Sequence, residues 1–126
     1  MHKKVINSLK APAPIGPYNQ AIEISGFLFI SGQIALDPES GNLLMDDIAS
    51  ETEQVMKNLQ AILLEANLTF EHAVKTSIFL SDMAHFSTVN TVYAKYFSAN
   101  YPARETVQVA GLPRGVNVEI SMIASR

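Results

Sequence analysis

Residues 102–124 read PARETVQVAGLPRGVNVEISMIA, and their alternation decides the fold class. Val116, Val118, Ile120, Met122 and Ala124 share one face, and Asn117, Glu119, Ser121 and Ile123 share the other. That period of two marks a half-buried strand. Thr106–Ala110 alternates more weakly, with Val107 and Val109 opposite Thr106, Gln108 and Ala110. Between the two, Leu112-Pro113-Arg114-Gly115 supplies turn chemistry, because Gly tolerates positive φ and Pro presets its own. The expectation is two neighbouring strands joined by a turn. The same period places Arg104 and Thr106 on one side of their strand and Glu105 on the other. A strand Arg or Glu is ordinarily a solvated face residue. An Arg, a hydroxyl and a carboxylate on neighbouring strands are also a set that lines a pocket for a small anionic substrate.

Upstream of this stretch the chain supplies two helices and more strands. Asp46–Asn67 carries Ile48, Thr52, Val55, Leu59, Ile62, Leu63 and Ala66 at three- and four-residue spacing, one apolar stripe of a helix. Asp46 or Asp47 caps its start, Ser50-Glu51-Thr52-Glu53 has capping-box form, and Asn67 suits a left-handed stop. Glu51, Glu53 and Lys57 read as solvated-face charges. A second helix is expected over Ala84–Ala99, its buried side marked by Phe86, Val89, Tyr93, Tyr96 and Phe97. Asn90 lies within that aromatic face, as a structural bracket or as part of a site. Val74–Leu80 alternates as a strand. Gln20–Ile24 and Phe27–Ser31 form a hairpin closed by Ser25-Gly26. Gly32, just after Ser31, leaves room for a ligand or another backbone, or marks a bulge. Val5-Ile6-Asn7 reads as a short edge strand. Lys10–Tyr18, with Pro12, Pro14, Gly16 and Pro17, breaks regular structure and ends on Tyr18.

The element order β-ββ-α-β-α-β-β points to an α+β domain spanning 1–126, a mixed sheet with two helices on one face. Apolar residues alternate on several strands, so the opposite sheet face also needs cover. Self-association is the simplest cover. The charged content of 17% against 48% hydrophobic points the same way.

Composition excludes several classes. The net charge of −3 gives no general pull toward nucleic acid. The chain has no Cys, so it has no disulfide, thiolate nucleophile or cysteine metal site. His2, His72 and His85 lack metal-ligand spacing. No apolar run is long enough to span a membrane. Met1-His2-Lys3-Lys4 is basic but is followed by no signal-peptide core, so a cytoplasmic location is expected.

Four motifs in order resemble the RidA/YjgF family of reactive intermediate deaminases. They are Ala13-Pro14-Ile15-Gly16-Pro17-Tyr18; Ser31-Gly32-Gln33-Ile34 with Asp37-Pro38 and Gly41; Thr88-Val89-Asn90 with Tyr93; and Pro102-Ala103-Arg104 followed by Val107, Val109, Leu112-Pro113 and Val118-Glu119-Ile120. The resemblance implies a chorismate-mutase-like fold, a six-stranded sheet, and a homotrimer with sites at its subunit interfaces. It implies hydrolysis of 2-aminoacrylate and 2-iminobutyrate to 2-oxo acids and ammonia, with no metal or organic cofactor. In that setting Arg104 grips the substrate carboxylate, Glu119 orients or deprotonates water, and Thr106 hydrogen-bonds substrate or water. Tyr18 and Asn90 shape the pocket, and Ser31 and Gly32 form its wall. Thr106 stands where many relatives carry Cys, which excludes a thiol mechanism here. Glu105 stands where a small residue is frequent. Two other functions fit the same chain: a non-catalytic module for small carboxylic acids, which would use Arg104 equally well, and an RNA-acting protein. The acidic balance and the absence of a His pair argue against the latter.

Overall fold

The computed structural model describes residues 2–126; Met1, the first residue of the basic start, lies outside the described residues. The strands are β1 (Lys4–Ile6), β2 (Ala21–Ile24), β3 (Phe27–Gln33), β4 (Ala73–Leu80), β5 (Ala103–Gln108) and β6 (Val118–Ser125). The helices are α1 (Ile48–Glu65) and α2 (Phe86–Ala94). The strands form one sheet in the order β1-β2-β3-β6-β4-β5, with β4 and β5 parallel and every other pair antiparallel. This is the expected mixed six-stranded sheet with helices on one face.

Side-chain chemistry explains the elements. Ser25 at φ 52° and Gly26 at φ 82° close the β2–β3 hairpin, the positive-φ pair that a two-residue turn demands. Asp47 caps α1 by accepting from the Ser50 N–H at 2.7 Å, and Asn67 at φ 59° follows its end. The stripe of α1 buries Val55, Met56, Leu59, Ile62 and Leu63 against Leu28, Ile30, Ile78, Leu80, Val118, Ile120 and Met122. Each such side chain contributes about 1.5–3 kcal/mol by leaving water.

Three expectations are corrected. The strands on either side of the Leu112–Gly115 turn are not neighbours. β6 pairs with β3 and β4, so β4 lies between it and β5. Local alternation identifies a strand but carries no information on its partner. α2 is also shorter than Ala84–Ala99. A single 3₁₀ turn (Met83–His85), capped by Asp82, precedes it, and i→i+3 bonds to the amides of Lys95, Tyr96 and Phe97 tighten its exit. Lastly, Glu51 is not a solvated charge but wholly buried. It lies at the edge of the α1 stripe, three residues after Ile48 and four before Val55.

Candidate active site

Arg104 and Thr106 lie on β5, the edge strand beside β4. The register sets Arg104 opposite Thr76 and Thr106 opposite Ile78, both buried beneath the helices. Residues opposite one another in a ladder project to the same face. Arg104 and Thr106 therefore belong to the helix-covered face. There α2 supplies a shelf: the Arg104 Cζ stands 5.1 Å from the Tyr93 ring centre and 5.7 Å from that of Phe86. Cation–π contacts of this kind contribute about 0.5–2 kcal/mol each. Tyr93 is held by a 2.8 Å hydrogen bond between its hydroxyl and Thr76 Oγ1. Burial pushes its pKa above the usual 10, although that bond and Arg104 pull the other way.

Asn90, Tyr93, Ala94, Tyr101, Pro102 and Arg104 line a depression of about 270 Å³. Asn90 is half-buried at its rim rather than enclosed among the aromatic residues. Among the described residues no carboxylate pairs with Arg104; the ion pairs there are Lys75–Glu105, Lys95–Glu53 and Arg126–Glu23. The Thr106 hydroxyl is buried and has no hydrogen-bond partner among the described residues.

The remaining candidates stand elsewhere. Glu119 pairs with Phe79, while its neighbour Val118 pairs with Leu80 in the core. Glu119 therefore projects to the open face, opposite to Arg104. Its carboxylate lies against Gly32, where β3 shifts register between Ile30 and Gln33. A Cβ on Gly32 would overlap Glu119 Oε2 and sit 2.8 Å from its Cδ, so any other residue displaces the Glu119 side chain from this place. The φ of Gly32 is not positive; close approach, not backbone strain, is what requires it. Half-burial pushes the Glu119 pKa above its usual 4.5.

Ser31 and Tyr18 line a groove of about 470 Å³ on this same face, together with Phe29, Ser77 and Ser121. The Ser31 hydroxyl donates to the Asn19 carbonyl at 2.6 Å, which ties β3 to the Tyr18 segment and leaves the hydroxyl oxygen free only as an acceptor.

The candidate residues thus fall in two groups: Arg104, Thr106 and Asn90 on the helix-covered side of the sheet, and Tyr18, Ser31, Gly32 and Glu119 on the open face. Sequence reasoning missed several of their supports. Gln20 accepts from the Ser8 N–H at 2.7 Å and donates to the carbonyls of Ser8, Ala11 and Pro12, which pins the segment leading to Tyr18. Its place just before a strand, after a run of prolines, was the available signal. Phe86 and Tyr93 read as core aromatics, yet they carry the guanidinium. No group of three or more acidic or histidine side chains among the described residues is placed to hold a metal ion. No described helix is long and apolar enough to cross a membrane.

Comparison with known proteins gives a consistent family. The chain is 49% identical over 122 residues to the mouse protein named 2-iminobutanoate/2-iminopropanoate deaminase, covering 97% of this chain and 90% of that one. The structure of the Rid-family protein YyfA from Yersinia pestis superposes with a TM-score of 0.97 at 47% identity, covering 99% of this chain and 100% of that one. E. coli TdcF, solved with bound serine, matches with a TM-score of 0.94 at 37% identity, covering 98% of each chain. A family model described as Endoribonuclease L-PSP matches residues 8–126. The chain belongs to the RidA/YjgF family.

Proposed function

We propose that this protein hydrolyses small 2-imino and 2-enamine acids, of the size of 2-aminoacrylate and 2-iminobutyrate, to 2-oxo acids and ammonia. The observation that carries the reading is the Arg104 guanidinium. It pairs with no acid among the described residues and is braced on two aromatic rings at the mouth of a small depression. A planar fork of that kind takes a carboxylate through two parallel hydrogen bonds. The mouse relative's name and the serine bound to TdcF fit a ligand with a carboxylate beside a nitrogen-bearing carbon.

In this reading each site forms between two copies. Arg104 and Glu119 project from opposite sheet faces, so one chain cannot bring them to one substrate. A contact between two different surfaces is heterologous, and such contacts close as rings, of which three copies make the smallest beyond a pair. A homotrimer sets the Arg104 half-site of one copy on the open face of the next. It also covers Phe27 and Phe29, which are 43% and 44% exposed in the single chain.

The chemistry then follows from the residues. Arg104 holds the carboxylate, Asn90 and Tyr18 bound the side chain, and the unpartnered Thr106 hydroxyl faces substrate or water. An enamine first takes a proton at C3 to become the imine. Glu119, its pKa raised toward the working range of a general base, takes a proton from water as the water oxygen adds to C2. The carbinolamine nitrogen takes that proton back from Glu119, the C–N bond breaks as the carbinolamine hydroxyl gives its proton to Glu119 or water, and ammonia leaves behind a 2-oxo acid. The protonated imine is already a strong electrophile, so positioning supplies most of what is needed.

The test generates 2-aminoacrylate with a dehydratase and traps residual imine with semicarbazide. Wild type lowers the trapped amount and Arg104→Ala does not. Equal trapping in the two leaves only binding of carboxylic acids. RNA cleavage that is lost in the same variant would replace the reading with a nuclease.

A further inference from the structure

Glu51 sits in the first turn of α1 with no exposed surface, and no Lys or Arg pairs with it among the described residues. Its charge is met by N–H donors from one short segment. Oε2 accepts from the backbone amides of Asn117 at 2.7 Å and Val118 at 3.0 Å, and Oε1 accepts from Asn117 Nδ2 at 3.0 Å. Asn117 is held from its other side as well. Its side-chain oxygen accepts from the Ser81 hydroxyl at 2.7 Å, and its carbonyl accepts from the Ser81 amide at 3.0 Å.

Consecutive amides of an extended strand point to opposite sides, so two that meet one oxygen require a bend. Residue 117 is that bend. β4 runs beside β6 as far as Leu80–Val118, but the register of β3 on the other side ends at Gln33–Ile120, so β3 does not continue to receive these amides. The Glu51 carboxylate, from α1, receives them instead. The next residue along β6 is Glu119, whose carboxylate must fall in the narrow space over Gly32.

We propose that Glu51 is a positioning residue for the deamination. By closing the Asn117 bend it sets where β6 begins, and so where Glu119 meets water and substrate. The inference rests on the deaminase reading above. Arg104 and its shelf are built from β5 and α2, and none of the Glu51 hydrogen bonds reaches either element. Glu51 therefore acts on the reacting half-site and leaves the gripping half-site unchanged.

The test uses the full chain and compares wild type with Glu51→Ala, Glu51→Gln, Asn117→Ala and Arg104→Ala. It reads kcat on 2-iminobutyrate generated in situ by a dehydratase, and calorimetric affinity for 2-oxobutyrate. Glu51→Ala is expected to lower kcat roughly 10- to 100-fold, the cost of a misplaced catalytic group. Its affinity for 2-oxobutyrate moves by less than about twofold, because the carboxylate grip is intact. Glu51→Gln recovers most of kcat: its carbonyl oxygen receives both backbone amides, and its NH₂ meets the Asn117 oxygen once that amide turns over. Wild-type kcat in a folded Glu51→Ala, or a loss of kcat and affinity together, overturns the proposal.

If Glu51→Ala does not fold, Asn117→Ala decides, since it keeps both backbone bonds. A kcat lowered about threefold or more at unchanged affinity supports the proposal, and an unchanged kcat overturns it. If Arg104→Ala deaminates like wild type, the deaminase reading fails and takes this inference with it. An inactive Arg104→Ala beside an undiminished Glu51→Ala sinks the inference alone.

Discussion

Arg104 and Glu105 are adjacent on β5, yet the two faces they reach treat charge in opposite ways. On the open face Glu105 is neutralised by its own chain. The Ser77 hydroxyl donates to it, Lys75 lies 3.0 Å away, and the two, hydroxyl first, hold its carboxyl below the usual 4.5. Beside α2, Arg104 has rings for company and no anion among the described residues. Glu119, on the open face, resembles Arg104 rather than Glu105: it is half-buried, and no cation pairs with it among the described residues. A half-buried charge without an ion partner carries a desolvation cost that a ligand or a second copy would offset. On the proposed reading, the contrast separates Arg104 and Glu119, as working groups, from the paired surface charge beside them.

The largest effect expected is at the grip. Arg104→Ala removes one partner of a charge-assisted contact in a desolvated site, a loss of about 2–5 kcal/mol in kcat/KM. Glu105→Ala, which breaks only an exposed pair, changes kcat/KM by less than about twofold. Steady-state kinetics on the two variants sets the neighbours against each other directly.

Next comes the acid on the open face. Glu119→Gln lowers kcat about a hundredfold while 2-oxobutyrate still binds, as calorimetry will show. Its raised pKa also fixes two pH signs. The ionised form is the base, so kcat falls as the pH drops through a value above 4.5. For stability the sign reverses. Folding favours protonated Glu119, so this contribution is full below the unfolded value near 4.5 and is lost as pH rises through the folded one. Thermal melts should therefore show Glu119→Gln more stable than wild type at neutral pH, with the gap closing in acid.

A smaller effect tests the space beneath that acid. Gly32→Ala has no positive φ to offend, so the protein folds, but the added methyl displaces Glu119. A fall in kcat of about tenfold with unchanged secondary structure by circular dichroism is the expected outcome. The smallest catalytic effect lies farthest from the chemistry. Gln20→Ala leaves buried carbonyls of residues 8–12 without their donor and costs about 1–3 kcal/mol in stability. Denaturant melts should record it, with kcat changed only through the Tyr18 segment.

Much of this was legible in the chain. The stripe from Ile48 to Ala66, the Ser25-Gly26 turn and the alternation of residues 118–124 each follow from local periodicity, and each appears in the fold. The sheet order does not follow from such periodicity. Which strand lies between β5 and β6 depends on long-range packing, and with it went the true relation of Arg104 to Glu119. Their parities were readable strand by strand, but parity compares faces only once the ladder linking two strands is known. Glu51 was obscured for a different reason. Its spacing places it at the edge of the buried stripe, but carboxylates are rarely buried, and the donors that permit it lie 66 and 67 residues away.

The central claim, that Arg104 of one copy works with Glu119 of another, is tested most directly by mixing two inactive chains. Arg104→Ala and Glu119→Gln, each inactive alone, are unfolded together at equal amounts and refolded. If each site draws one residue from each of two copies in a ring, a quarter of the sites receive both native residues, and about a quarter of wild-type activity returns. A mixture that stays as inactive as its components would show that both residues must come from one chain, and would contradict the account.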